Sequence, residues 1–194
     1  MALATQTKRE PLITVKTGIY CAVVGALGCI LTLFAIPVAP NIAINLYVFS
    51  GVLVGGTSGW FVGMLGGLIG SLYTPVLWGW FGALPYAAAI GLFAGLFSQK
   101  WGLRPTIGAI LGGQIIYQAT VGWYGDLVIM GLPWPIFWIG MGTTTLQLIA
   151  AGLLAEALMS IPAIKKRLPK TTIKTVPWVA RSAFLRHPWV EKAK

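Results

Sequence analysis

The most restrictive feature of this sequence is a long stretch that contains no charged residue. No Asp, Glu, Lys or Arg occurs between Thr17 and Gln99. Soluble domains carry about 25% charged residues, whereas this chain of 194 residues has 9% charged and 57% hydrophobic residues. The length suits one domain. These properties are typical of a polytopic membrane protein, and they exclude a soluble enzyme, a DNA-binding domain and a disordered chain.

The apolar region from residue 17 to residue 163 has room for about six spans of roughly 20 residues each. The predicted helices run over Gly18–Ile36, from Ile42 to residues 55–59, and over Trp60–Val76, Leu84–Phe97, Ile107–Tyr124 and Pro135–Ile161. The glycine-rich residues 55–59 leave two interpretations, because residues 42–76 can form one long helix or a tight hairpin.

The positions of the basic residues favour the hairpin. With it, Lys16, Lys100, Arg104 and the basic residues after Ile164 lie on one side of the membrane, and the opposite loops contain no Lys or Arg. Cytoplasmic loops are enriched in Lys and Arg. The sequence therefore predicts an all-α integral membrane protein, a bundle of six transmembrane helices with both termini cytoplasmic. We expect the net charge of +10 to orient the helices in the lipid bilayer, and we expect no nucleic-acid partner.

This topology divides the chain into three regions. Residues 1–16 form a basic cytoplasmic N-terminus, residues 17–164 the transmembrane domain, and residues 165–194 a basic, amphipathic cytoplasmic tail. The tail carries nine of the basic residues, interleaved with aromatic and aliphatic ones. Such a segment suits the anionic inner leaflet of a membrane, and docking onto an acidic partner subunit is the alternative.

Glycines recur every four residues through the second and third predicted helices. They are Gly51, Gly55, Gly59, Gly63 and Gly67. Small residues at this spacing let helix backbones approach closely. We expect tight packing within one chain, with a homo-oligomeric glycine zipper as the alternative.

The sequence contains no recognisable catalytic or metal-binding pattern. His187 is the only histidine, and we expect it on the surface of the tail. Spacings typical of metal ligands and phosphate-binding loops do not occur, so we expect no enzyme activity, no cofactor and no metal. We expect Glu156 to form an ion pair with Lys16, Lys100 or Arg104, with coupling to a cytoplasmic partner as the alternative.

Aromatic and polar residues gather toward the predicted outer face. Trp78 and Trp80 lie in one outer loop, and Trp123, Tyr124 and Asp126 follow the fifth helix. An interfacial aromatic belt would explain the aromatic residues, and hydrogen bonds between helices would explain the amides within the spans. Together these groups can also line a small-molecule pocket open to the outside.

The complete pattern resembles a known family. Six spans in 194 residues, a glycine-rich third helix and a last helix that closes with Ile161-Pro162-Ala163-Ile164-Lys165-Lys166-Arg167-Leu168 are similar to the S components of energy-coupling factor transporters. These are the membrane-embedded substrate-capture subunits of ATP-driven importers for vitamins and metals. The segment Ala22-Val23-Val24-Gly25-Ala26 fits the Ala-x-x-x-Ala motif through which that family meets its coupling subunit.

The resemblance implies a function and partners. It implies a subunit that binds a small, vitamin-like solute near the outer face of a prokaryotic cytoplasmic membrane. The implied protein partners are a transmembrane coupling subunit, contacted through Ala22 and Ala26, and two ABC-type ATPase subunits. The expected ligand contacts are Trp78, Trp80, Trp123, Tyr124 and Asp126, followed by Asn45, Gln114 and Gln118. A structural or accessory subunit of a larger membrane complex is the alternative, and a channel or facilitator comes third.

Overall fold

The chain forms a mostly helical bundle. The computed structural model describes residues 13–39, 42–79, 81–170 and 172–190. The first half contains α1 (Val15–Thr32), β1 (Ile36–Ala39), β2 (Ile42–Ile44), α2 (Phe49–Ser58), α3 (Trp60–Gly70), α4 (Thr74–Trp78) and α5 (Ala83–Trp101). The second half contains α6 (Pro105–Ala109), the π-helices π1 (Ile110–Gly122) and π2 (Tyr124–Ile129), α7 (Trp134–Ser160), α8 (Pro162–Lys165) and α9 (Pro177–Arg181).

Three helical stretches of the described chain are long and apolar enough to cross a membrane. They are Val15–Thr32, Trp60–Leu77 and Trp134–Ser160. Their positions agree with the first, third and sixth predicted spans. The prediction of a helical protein with membrane-compatible helices is thereby confirmed, while the count of six spans and the side of the termini stay predictions.

A two-stranded hairpin corrects the all-α prediction. Strands β1 and β2 pair antiparallel, with Ile36 opposite Ile44 and Pro37 opposite Ala43. Helix α1 ends at Thr32, so its predicted extension to Ile36 is wrong, and so is the predicted helix start at Ile42. The physical reason lies in Pro37, which lacks an N–H donor and disfavours helical conformation in the residue before it, next to β-branched residues that favour strands.

Helices α2 and α3 form the tight hairpin that the charge pattern favours. A single residue, Gly59, separates them, and its φ of 99° lies in a region that residues with a Cβ rarely adopt. A Cβ added to Gly63 would meet the Cα of Gly55, and one added to Gly66 would meet Val54. The two helices therefore run back along each other from the turn.

The glycines pack against other helices of the same chain. A Cβ on Gly51 would come within 3.2 Å of the Cα of Gly91 in α5, and a Cβ on Gly67 would collide with the carbonyl of Ala87. Helix α1 also packs on α3, because a Cβ on Gly25 of α1 would lie 2.5 Å from the Ile69 side chain. The expectation of tight intramolecular packing is confirmed, because α1, α2, α3 and α5 approach at backbone distance where these glycines lie.

The basic tail folds back onto the end of the bundle. The amide of Lys174 donates to the carbonyl of Gln99 at 2.9 Å, and the amide of His187 donates to Gly102 at 2.8 Å. The Trp189 indole donates to the carbonyl of Met159 at 3.1 Å. Residues 172–190 thus cover the α5–α6 turn and the end of α7.

His187 is fully buried, and the prediction of a surface histidine is wrong. Its Nε2 lies 3.2 Å from the carbonyl oxygen of Gly56, and its Nδ1 accepts the amide of Trp189 at 3.1 Å. With Nδ1 as an acceptor, the proton is on Nε2, which donates to Gly56. Burial is the main cause that lowers the pKa of His187 to about 4, so the ring is neutral at physiological pH.

Candidate functional site

Helix α2 starts inside the bundle rather than at its surface. Its ten residues span about 15 Å, half of a hydrocarbon core of about 30 Å. The non-helical residues before it are deeply buried, with Tyr47 at 1% and Val48 at 0% exposure. Irregular backbone at membrane depth persists only where protein covers it or where it lines a cavity. The segment over residues 45–48 is therefore the centre of the candidate site.

An amide pair joins this segment to α7. The Gln147 side-chain amide donates to Oδ1 of Asn45 over 3.4 Å, and the same oxygen lies 3.4 Å from the backbone nitrogen of Tyr47. Both amide side chains are nearly completely buried. Transferring an amide into an apolar environment without a partner costs several kcal/mol, so these contacts stabilise the interior position of both groups.

A second set of polar contacts links α5, π1 and α7. The Tyr86 hydroxyl donates to Oε1 of Gln114 at 2.8 Å. The Gln114 amide nitrogen donates to Oγ1 of Thr144 at 3.1 Å and to the carbonyl of Met141 at 3.0 Å. Thr144 lies one helical turn before Gln147, so both sets meet along α7. We call the residues of both sets, together with the buried Gln118 of π1, the polar seam: Asn45, Tyr86, Gln114, Gln118, Thr144 and Gln147.

The π-helix carries two amides of the seam. Gln114 and Gln118 are both 4% exposed, and their spacing of four residues places them on one side of π1. Long π-helical runs are rare, and π-type turns occur frequently at functional sites. Gly112 and Gly113 let π1 approach α5, because added Cβ atoms there would meet Phe93 and Ile90. The result is a pair of buried amides on one side of π1, of which Gln114 accepts the Tyr86 hydroxyl.

Aromatic residues cluster where π1 ends and α7 begins. The ring of Trp123 lies 6.4 Å from that of Trp134, which lies 6.0 Å from Phe137. Trp123 is 39% exposed and Tyr124 is 54% exposed. These two predicted ligand contacts therefore belong to an exposed rim, while Asn45, Gln114 and Gln118 lie inside the bundle.

The remaining predicted contacts fall outside what the structure describes. Trp80 lies outside the described residues, as do the side chains of Trp78 and Asp126, whose backbones belong to α4 and π2. The predicted partner-interface residues, Ala22 and Ala26, are both exposed on α1. Their face of the helix is the one turned away from α3.

Glu156 forms a separate polar cluster at the end of the bundle covered by the tail. Its carboxylate accepts from the Thr106 hydroxyl at 2.6 Å, from the Thr106 amide at 3.2 Å and from the Arg104 guanidinium at 3.3 Å. The ion pair with Arg104 is one of those that the sequence predicts, and it is confirmed. The cluster ties α7 to the start of α6.

Sequence reasoning missed Tyr86 and the burial of His187. Tyr86 lies in a segment that otherwise reads as an apolar helix, and its partner Gln114 is 28 residues away. The available signal was its hydroxyl, because a phenol within a predicted span needs a hydrogen-bond partner. His187 offered no local signal, since its partner is a backbone carbonyl 131 residues away.

Comparison with known proteins identifies no family for this chain, so its function is inferred from the geometry of the site. No family model matches the chain, and no solved structure matches it. Within the described part of the chain, no three His, Cys, Asp or Glu residues are placed to hold a metal ion. The polar seam consists of neutral hydrogen-bonding groups, which can bind a small polar solute by donating and accepting hydrogen bonds.

Proposed function

We propose that this chain is the membrane-embedded substrate-binding subunit of an ATP-driven importer for a small, vitamin-like solute. In this proposal six helices span a prokaryotic cytoplasmic membrane, both termini are cytoplasmic, and the solute binds in the outer part of the bundle. The observation that carries the proposal is the polar seam beside the buried, non-helical segment before α2. Broken helices next to buried polar groups are how many transporters form their binding sites.

The chemistry of the seam suggests the kind of solute. Asn45, Gln114 and Gln147 each offer both donors and acceptors, and Tyr86 adds an aromatic face. The rim at Trp123 adds further rings for stacking. These groups suit a heteroaromatic solute with several hydrogen-bonding atoms.

The proposed importer needs other chains for energy. The sequence has no phosphate-binding loop of its own, so ATP hydrolysis is assigned to two ABC-type ATPase subunits acting through a transmembrane coupling subunit. The exposed Ala22 and Ala26 on α1 supply small residues that let a partner helix approach closely. The chain itself is proposed to catalyse no reaction.

Purification of the chain with its bound solute tests the proposal. Small molecules released by denaturing the detergent-purified protein are quantified by mass spectrometry. We expect Gln114→Asn, Trp123→Ala and Asp126→Asn to retain less of the released compound than the unmodified chain. Ser160→Ala is the control, because the Ser160 hydroxyl bonds to the carbonyl of Glu156 within its own helix, outside the polar seam. Equal retention in all variants, or no retained compound at all, would contradict the proposal.

A structural or accessory subunit of a larger membrane complex is the second candidate. It is favoured by the way Tyr86, Gln114 and Thr144 bond to one another, since such pairing stabilises a bundle without any ligand. Mild-detergent isolation from the native host, with mass spectrometry of the co-purifying chains, separates the two. Recovery of ABC-type ATPases supports the importer, whereas another stable membrane assembly supports the accessory role.

A further inference from the structure

A cavity of about 480 Å³ lies between α8 and the folded-back tail. Its lining residues are Lys165, Lys170, Ile173, Thr175, Trp189 and Val190. The volume falls in the range of small-molecule sites, about 300–1,000 Å³. The cavity is far along the chain from the polar seam, and its lining shares no residue with it.

The walls of this cavity are held by contacts to the bundle. Thr175 packs against Gly102, whose φ of 70° and missing side chain leave room for the threonine hydroxyl. The Trp189 indole is fixed by its hydrogen bond to Met159. The backbone on both sides of Thr175 is bonded to α5, through Lys174 to Gln99 and through Val176 to Trp101. The cavity is thus built by long-range contacts.

The charged residues in the described part of the cavity lining are both basic. Lys165 and Lys170 contribute two ammonium groups, and none of the described lining residues carries a carboxylate. Glu156, which is not among those lining residues, bonds to Thr106 and Arg104. His187, which lies beside Trp189, is held neutral by burial and by the adjacent charge of Lys165, which both lower its pKa. The two positively charged side chains in the described lining therefore favour an anion as the occupant.

We propose that this cavity binds a phosphate group, with the ammonium groups of Lys165 and Lys170 as its hydrogen-bond donors. The same chemistry is available from the headgroup of an anionic phospholipid and from free phosphate. The exposed side chains of Trp178 and Phe184 on the tail resemble the aromatic residues that lie at membrane interfaces. They favour the lipid headgroup as the source.

The test compares two double variants with the same change in charge. Lys165→Gln with Lys170→Gln removes both cavity ammonium groups. Lys166→Gln with Lys174→Gln removes two exposed lysines from the same segments, outside the cavity lining. Each protein is placed in nanodiscs of phosphatidylcholine with a small fraction of phosphatidylglycerol, and the lipid that stays bound is counted by native mass spectrometry. A second arm titrates inorganic phosphate into discs of phosphatidylcholine alone.

We expect phosphatidylglycerol binding to weaken on the order of tenfold in the cavity variant, because each Lys near an anionic lipid contributes measurably to binding. The control variant should bind as the unmodified protein does. Phosphate binding that requires the cavity lysines, without a preference for phosphatidylglycerol, also supports the site and names the free anion as its source.

Two results would overturn the proposal. Equal loss in both double variants would mean a general surface-charge effect. Absence of lysine-dependent binding in both arms would mean that the cavity holds no phosphate group. An unchanged melting temperature of the variants shows that the tail stays docked. Retention of the importer solute is measured in a separate experiment, so that the two proposals are tested independently.

Discussion

At the scale of single residues, Gly91 is a position where the backbones of α5 and α3 lie in direct contact. A Cβ at this position would collide with the backbone carbonyl of Gly63, and a backbone atom cannot move aside as a flexible side chain does. We expect Gly91→Ala to lower the free energy of unfolding by about 2 kcal/mol, as overpacking in a dense interior does. Thermal unfolding in detergent measures the change.

Gly142 provides the matched control for this substitution. It lies in α7, and a Cβ added there meets nothing within 4 Å. Gly142→Ala should leave the stability within about 0.5 kcal/mol of the original, like other substitutions in open positions. Equal melting of the Gly91 and Gly142 variants would contradict the packing described for α3 and α5.

Glu156 is the residue whose removal should cost most at the tail-covered end. Glu156→Ala leaves the Thr106 amide and hydroxyl without their acceptor and leaves Arg104 without its ion pair, and we expect a loss of roughly 3 kcal/mol. Glu156→Gln should cost less, because an amide oxygen still accepts from Thr106. Chemical unfolding of both variants checks this order, and a glutamine variant as unstable as the alanine variant would show that the charge dominates.

At the scale of elements, the docked tail should respond to pH through His187. Folding lowers the pKa of this ring from 6.5 to about 4, so the undocked tail takes up a proton first as the pH falls. The contribution of His187 to the docked form is fully present above about pH 6.5. The free energy that favours docking decreases by roughly 3 kcal/mol as the pH drops to 4. Amide hydrogen exchange at Lys174, Val176 and His187, corrected for its intrinsic pH dependence, follows the release.

The variant His187→Gln tests the cause of this response. Its side-chain amide can still donate to Gly56, but it does not titrate. After correction for the intrinsic pH dependence of exchange, the rates at the amides of Lys174, Val176 and His187→Gln should then no longer change with pH. A response that persists in this variant would assign the effect to another group.

Some features of these elements could be predicted from the sequence, and others could not. The charge-free run was enough to predict a mostly helical chain with membrane-compatible helices, because these depend on local composition. The basic residues favoured a turn within residues 55–59, and the turn lies at Gly59. The β1–β2 hairpin and the buried segment before α2 depend on contacts such as that of Asn45 with Gln147. These two residues are 102 positions apart in the sequence. The amides of Asn45, Gln114 and Gln118 within the predicted spans indicated polar contacts between helices, but not which groups pair.

At the scale of the whole molecule, the proposed six-span topology predicts that α8 and the end of π2 lie on opposite sides of the membrane. Single cysteines at Lys166 and at the exposed Ile129 test this, after Cys21 and Cys29 have been replaced by serine. An impermeant maleimide should label Ile129→Cys in intact cells and should label Lys166→Cys only after the membrane is opened. Labelling of both from the outside would mean that α7 does not separate these two sites across the membrane, and it would contradict the proposed topology.

The short α2 has a consequence for how the protein is made. A helix of ten residues is too short to cross a bilayer by itself, so in the proposed topology α2 enters the membrane together with α3, joined through Gly59. Its preceding segment is covered by α7, which the ribosome completes only after most of the chain has emerged. Until then, the polar groups near Asn45 face either lipid or the insertion machinery. Biogenesis of this protein therefore requires that the nascent amino-terminal half be sheltered while synthesis proceeds, and truncation before Trp134 should direct the remainder to membrane proteolysis.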